Sequence, residues 1–206
     1  VQFATDEKKR ASKNIVALAQ NLLRANDISF DDLLFFAANQ GPGPFTTLRV
    51  IIATVNGFGF ATQKPIIGID GLDAILDEYR QESPAITVAL LNAYSGDLYF
   101  GIDNQENGTR EKGYAQATVF LSDLKTMFPE KKILFVGQAV TMYLQEIKNL
   151  FGENAIIQDS LPEHCSIEQI GVMAWERWLQ KDDLVKQLFP LYLKSMSFGK
   201  KAPSHF

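Results

Sequence analysis

The stretch Gly41-Pro42-Gly43-Pro44-Phe45-Thr46-Thr47-Leu48-Arg49 is the part of the chain best suited to chemistry. It joins an apolar run, Leu33 to Ala38, to an amphipathic one. Glycines at such a junction let the backbone approach a ligand. A helix that starts there offers free N–H groups to an anion. The two prolines remove donors that a phosphate cradle would use. The stretch also lacks the Lys-Ser/Thr ending of a P-loop and the spacing of a dinucleotide fingerprint. Residue chemistry alone therefore favours a rigid structural turn over a phosphate site.

Other reactive residues are few. Cys165 is the single cysteine, so no internal disulfide can form, and a reducing cytoplasm fits. His164 and His205 are the only histidines, too few with Cys165 for a zinc site. His164 beside Cys165 has the residue types of a nucleophile pair, but sequence neighbours point apart and no third orienting group is evident. Asp97 with Asp103, and Asp31 with Asp32, are candidate carboxylate pairs, each at a turn or strand edge where solvated acid is normal. Trp175 and Trp178 are expected to pack in a core or between subunits rather than stack on bases. Lys194, Lys200 and Lys201 read as a small basic, solvated end. With 20 basic and 24 acidic residues the net charge is -4, which argues against an autonomous nucleic-acid binder. No apolar run is expected to reach the ~18 residues of a membrane span.

The elements that would position these residues alternate between strand and helix. Val1–Thr5 reads as a strand. Ile15, Leu18, Ala19, Leu22 and Leu23 mark one face of a helix over 12–25. Leu33–Ala38 is a buried strand, and Thr46 or Thr47 is expected to cap a helix over 46–60. Pro65–Ile69 is a strand, and Asp70 opens a helix. The pattern changes at Ser83-Pro84. Strands Ala85–Leu91 and Leu98–Ile102 follow, joined by Asn92 to Asp97, and a second hairpin turn spans Asn104 to Gly108. Helices Val119–Phe128, Val140–Leu150 and Ile167–Leu179 alternate with strands Lys132–Val136 and Ala155–Gln158. The two halves match if the first lacks two leading strands.

The order of these motifs resembles the TsaB (YeaZ) family, within the actin-like ATPase and sugar-kinase superfamily. Gly41–Arg49 is similar to that family's GPGSFTGLR signature, with Gly41, Gly43, Phe45, Thr46 and Arg49 matching. Pro65–Ile69 resembles its strand ahead of the third helix. Leu91–Tyr99 resembles its DAR hairpin, Phe135–Gln138 its glycine-bearing strand end, and Pro190–Lys194 its closing P-x-Y-L-R. Departures occur at Pro44, Thr47, Asn92, Tyr94 and Asp97, and the family's opening phosphate-loop strand has no counterpart after Val1. They speak against a catalytic or nucleotide-binding role for those positions.

The resemblance implies an α/β fold of two ribonuclease-H-like lobes, the first lacking its opening strands. Residues 1–82 would form the first lobe, 83–189 the second and 190–206 a tail. It implies a non-catalytic subunit for threonylcarbamoyladenosine modification of tRNA. Its partners would be TsaD, which transfers the group, and TsaE, the ATPase, with tRNA met only through the complex. No cofactor or metal is expected in the isolated chain, and ATP belongs to the complex. Helices 12–25 and 46–60 carry apolar residues on more than one side, which points to an interaction patch. Val16, Ala19, Leu23, Val50, Ala53, Gly57 and Phe60 are its candidate residues, and the resemblance implies contact there with TsaD or with a second copy. An independent ATPase or small-molecule kinase, and a stand-alone homodimeric interaction protein, are the alternatives.

Overall fold

The computed structural model describes residues 11–80, 85–158 and 164–194. The expected strand Val1–Thr5, the break at Ser83-Pro84, and Lys200, Lys201 and His205 lie outside the described residues. Two sheets organise the rest. One has three strands and the other five.

Helix α1 (Ala11–Ala25) comes first. None of its side chains over 14–25 is fully buried. A single 3₁₀ turn, Phe30–Asp32, follows. The Ser29 amide and hydroxyl both donate to Asp32 Oδ2, at 2.9 and 2.6 Å. These bonds hold the Asp32 carboxyl below the usual carboxylate range. Leu33, expected to start a strand, instead caps this turn, its amide donating to the Phe30 carbonyl. The strand β1 therefore spans Phe36–Gly41 rather than Leu33–Ala38. It pairs in parallel with β2 (Ile66–Asp70), from Phe36 opposite Ile66 to Asn39 opposite Ile69.

Helix α2 spans Phe45–Thr62. Its N-cap is Pro44, with no side-chain cap bond, so neither Thr46 nor Thr47 caps it as expected. Both threonines lie inside the first turn instead. Leu48, Ile52, Val55 and Gly59 form its buried face, against Ala38, Ile66 and Leu188. A Cβ on Gly59 would sit 2.7 Å from Ile66 Cδ1, so this helix and β2 touch where only glycine fits. The expectation that no segment reaches membrane length and apolarity is corrected here. By length and composition alone, α2 is long and apolar enough to span a membrane. Its buried face on a parallel sheet makes it the covering helix of a lobe.

Asp70 caps α3 (Gly71–Glu78), with Oδ1 accepting from the Leu72 and Asp73 amides at 2.8 and 3.4 Å. That helix lies between the sheets. Leu72, Ile75 and Leu76 pack on Ala89, Leu91, Leu134 and Val136 of the second sheet. There β3 (Ile86–Asn92) runs antiparallel to β4 (Asp97–Asn104) and parallel to β6 (Ile133–Val136). The outer strands are β5 (Thr109–Gln116) and β7 (Ala155–Ile157). Helix α4 (Ala117–Met127) covers the other face with Phe120, Leu121 and Leu124 buried. The expected single helix Val140–Leu150 is instead α5 (Ala139–Met142) and α6 (Leu144–Phe151). Tyr143 packs against the core at the joint between them.

Helix α7 (Ile167–Gln180) and strand β8 (Leu184–Val185) return to the first sheet. Ile170 and Ala174 pack on Ile67 and Ile69, and β8 pairs antiparallel with β2. Both fall in the stretch assigned by sequence to the second lobe. Packing therefore divides the chain differently from chain order in this part.

Candidate functional site

Three segments far apart in sequence meet around the glycine-proline turn. Gly41 has φ +111, and a Cβ there would lie 2.9 Å from Leu48 Cδ2 and 3.1 Å from the Leu191 carbonyl. Its amide donates to Asn39 Oδ1 at 2.8 Å. Gly43 has open space around it, so the tight position in the motif is Gly41. The Leu191 amide donates to the Gln40 carbonyl at 2.9 Å, which ties the 190–194 segment to the end of β1.

Beyond the turn, Arg49 sits on an aromatic shelf. Its guanidinium carbon is 3.7 Å from the centroid of the Phe45 ring. Its Nε donates to the Tyr192 hydroxyl at 2.9 Å. The Phe45 and Tyr192 rings stack with centroids 5.5 Å apart. Two residues on, Lys194 reaches the β3–β4 turn. Its Nζ lies 2.6 Å from Asp97 Oδ2 and 3.4 Å from the Ala93 carbonyl. Lys194 is therefore a strut between the tail and the hairpin, not the solvated end expected from sequence. The 190–194 segment thus straps the motif turn to the hairpin, and all three are regions that carry the family resemblance.

Asp97 and Asp103, one of the two candidate carboxylate pairs, are held apart by separate cations. Asp97 belongs to Lys194, and Asp103 to Arg110 and Arg80 at 3.4 and 3.7 Å. A larger charge network lies under α3. Lys112 Nζ is 2.6 Å from both Asp70 and Asp73, and Arg110 reaches Asp77 at 2.7 Å. Burial lowers the proton affinity of both cations, and the aspartate contacts outweigh it, so both are held above their ordinary values. The signal was present in the sequence. Asp70, Asp73 and Asp77 recur at i, i+3 and i+7 on one helix face. Arg110 and Lys112 share one face of a strand. These ion pairs tie α3 to β5.

Cys165 is a partly buried free thiol. Burial, followed by the nearby Glu78 charge, pushes its thiol up to about 11, so it stays protonated at neutral pH. Asn39 Nδ2 donates to its Sγ at 3.7 Å. Among the described residues no group of three His, Cys, Asp or Glu could hold a metal ion. Trp178 stacks on Phe35 with centroids 5.4 Å apart, and Trp175 lies 6.4 Å from the same ring. These contacts are packing on the first sheet.

The candidate patch residues lie on α1 and α2. Val16 is 46% exposed and Phe60 79% exposed. Ala53 and Gly57 are exposed between Phe60 and Arg49, while Ala19, Leu23 and Val50 are half-buried. Arg49, Ala53, Gly57 and Phe60 stand at i, i+4, i+8 and i+11, opposite the face that packs on the sheet.

The family model described as TsaD, tRNA N6-adenosine threonylcarbamoyltransferase, matches residues 5–197. The Bacillus subtilis tRNA threonylcarbamoyladenosine biosynthesis protein TsaB is 25% identical, over 85% of this chain and 77% of that protein. The Haemophilus influenzae protein of the same name is 24% identical, over 93% and 83%. The solved structure of YeaZ from Pseudomonas aeruginosa aligns with a TM-score of 0.65 at 19% identity, over 89% of this chain and 86% of that one. A further structure, described as similar to peptidase YeaZ from P. aeruginosa, aligns at 0.69 with 18% identity, over 88% and 83%. These likenesses support the two-lobed α/β, actin-like fold. The match across nearly the whole chain places the protein in the TsaD family, on its TsaB (YeaZ) branch.

Proposed function

We propose that this chain is a non-catalytic subunit of the machinery that makes threonylcarbamoyladenosine in tRNA. It scaffolds a TsaD-type transferase through α1 and α2, and that enzyme carries the threonylcarbamoyl group to the adenosine beside the anticodon. TsaE is the ATPase partner, and tRNA and ATP are met through the assembled complex in the cytoplasm. A homodimer uses the same face when the transferase is absent. One observation carries the reading. Over 14–25, α1 buries no side chain fully, and next to it α2 holds out Phe60 at 79% exposure. Two helices that leave this much apolar surface uncovered are built for a partner. The polar groups nearest the motif turn support the scaffold reading as well. Gln40, Asp97 and Lys194 serve the strap, and Asn39 holds the turn itself.

A specific contact covers about 800 Å² per partner. A charge at its centre is desolvated without a counter-ion and costs about 3 kcal/mol or more. Val16→Asp and Val50→Asp are each expected to lower affinity for the TsaD of the same bacterium by about 100-fold or more. Calorimetric titration reads the affinity, and circular dichroism verifies the fold. Wild-type affinity in both folded variants would place the contact elsewhere, with the exposed Trp175 side of α7 the next surface to test. The purified chain is expected to hydrolyse ATP at background rate. Turnover abolished by Asp97→Ala would show an enzyme instead.

A further inference from the structure

We infer that the α1–α2 face takes a partner helix that presents a carboxylate to Arg49, and that this charge makes the face prefer such a partner to a second copy of the chain. The inference rests on the scaffold reading above and names the chemistry of its contact.

Arg49 is held in an unfavourable place. It lies in the second turn of α2, close to the positive end of the helix dipole, and the first turn of that helix has no acidic residue to offset it. No carboxylate among the described residues pairs with it. Its contacts are the Phe45 ring at 3.7 Å and the Tyr192 hydroxyl at 2.9 Å. Those contacts occupy one flat face and Nε. They leave the two terminal nitrogens as an oriented, exposed fork. A guanidinium fork fixed in one orientation matches a carboxylate in a bidentate pair, with little further loss of side-chain freedom. The cation that opposes its own helix dipole thus has its stacking and its direction fixed in advance.

The surroundings decide between partners. Over 14–25 and 45–62 the helices carry Arg24 and Arg49 and no aspartate or glutamate, within a chain of 24 acidic residues and net charge -4. Arg24 in the last turn of α1 suits its own helix dipole. Arg49 is anchored within the lobe by Phe45 and Tyr192 alone, and its charge meets no acid among the described residues. In a two-fold contact the same face meets itself. Arg49 would then face helices whose described side chains include no acid, and the fork would be buried unpaired. An acidic partner helix satisfies it. The small residues Ala53 and Gly57, one and two turns along, admit a close helix backbone. An RNA backbone fits less well, since a phosphate-binding face gathers several cations, and over 14–25 and 45–62 Arg24 and Arg49 are the only basic residues.

The test uses the full-length chain with the TsaD of the same bacterium. Affinity is measured at about 0.1 and about 0.5 M NaCl, a range over which exposed charge pairs are progressively screened. Wild type, Arg49→Gln, Arg49→Lys and Ala53→Trp are compared, each verified as folded. Arg49→Gln is expected to weaken binding about 10- to 100-fold, in the range of a lost charged hydrogen-bond pair. Arg49→Lys recovers part of it, because an ammonium keeps the charge and loses the fork. Added salt weakens the wild-type complex and leaves the Gln variant nearly unchanged. Self-association of wild type, followed by sedimentation velocity, does not weaken with salt. Loss of binding in Ala53→Trp with wild-type affinity in Arg49→Gln overturns the charge inference and keeps the scaffold face. Wild-type affinity in both variants overturns the inference and removes the face as well. Binding of bulk tRNA by the isolated chain that Arg49→Gln abolishes would assign the fork to phosphate and overturn the carboxylate assignment.

Discussion

The two sheets differ in how far they complete themselves. In the second, β3 is buried over Ile86–Leu91 and β6 over its full length, with covering elements on both faces. In the first, β2 is fully buried while β1 is half-buried over most of its length. The charges divide the same way. Arg110 and Lys112 beside the second sheet are matched by aspartates. Arg49 on the first lobe has an aromatic shelf, and no acid among the described residues pairs with it. The second sheet is thus covered within the chain, while α1 and the outer side of α2 on the first lobe leave apolar side chains exposed. A helix such as α2 can satisfy a sheet with Leu48, Ile52 and Val55 and still offer its opposite side.

The largest effect on stability is expected in the second sheet. Leu121 is fully buried in its core. Leu121→Ala removes its transfer free energy and leaves a cavity, at a cost of about 2–5 kcal/mol. Chemical denaturation measures the loss. A cost under about 1 kcal/mol would mean that this core is not the tight one described.

The motif turn is expected to come next. Gly41→Ala places a Cβ at φ +111 and against the Leu191 carbonyl. Backbone strain of this kind costs about 1–3 kcal/mol. The same substitution at Gly43, with open space and no left-handed φ, is expected to cost much less. Equal losses at the two glycines would break the distinction drawn between them.

That distinction shows where sequence reading stops. The GPGPFTTLR stretch announces a turn between strand and helix, and a turn is what forms. Which glycine bears the strain depends on Leu191, far along the chain. The strand ahead of it was displaced because apolar periodicity does not register a Ser29–Asp32 turn. The helix start was misjudged because two threonines look like caps, whereas Pro44 already fixes the entry. Local pattern placed β2, α3, the β3–β4 hairpin and α7 closely, since each has a long apolar run or a strong cap. The strap through Tyr192 and Lys194 was hidden, because sequence spacing carries no signal for a bond 143 residues apart. The α3 network was legible in principle, from the Asp70, Asp73 and Asp77 spacing.

Cys165 sharpens the contrast through pH. It packs where α3 and α7 meet the two sheets, touching both cores. The ordinary thiol value is 9.0, and burial moves the folded one to about 11. Below pH 9 both states keep the proton, and the group adds no pH dependence. Above it, the unfolded chain releases a proton that the folded chain retains. Stability therefore falls as pH rises between these values, by up to about 3 kcal/mol, and levels off beyond the upper one. Urea midpoints at several pH values from neutral to alkaline measure this. Cys165→Ala is expected to flatten that part of the profile relative to wild type. Parallel profiles for the two proteins would mean that the thiol is not desolvated in the fold.

The smallest effect on stability is expected where the effect on association is large. Phe60 is 79% exposed, so the isolated fold gains little from its ring. Phe60→Ser is expected to change the unfolding free energy by no more than about 0.5 kcal/mol, as for an ordinary surface position. If the α1–α2 face is an interface, the same ring is desolvated on binding. An aromatic side chain buried near the centre of such a contact carries about 2 kcal/mol or more of its free energy. Affinity for the TsaD of the same bacterium should then fall about 30-fold or more while the denaturation midpoint stays put. That separation is the signature of a surface shaped for a partner. A ring serving the lobe's own core would lower stability and affinity together. A ring serving neither would lower neither, and the uncovered apolar side of α2 would lose its role in association.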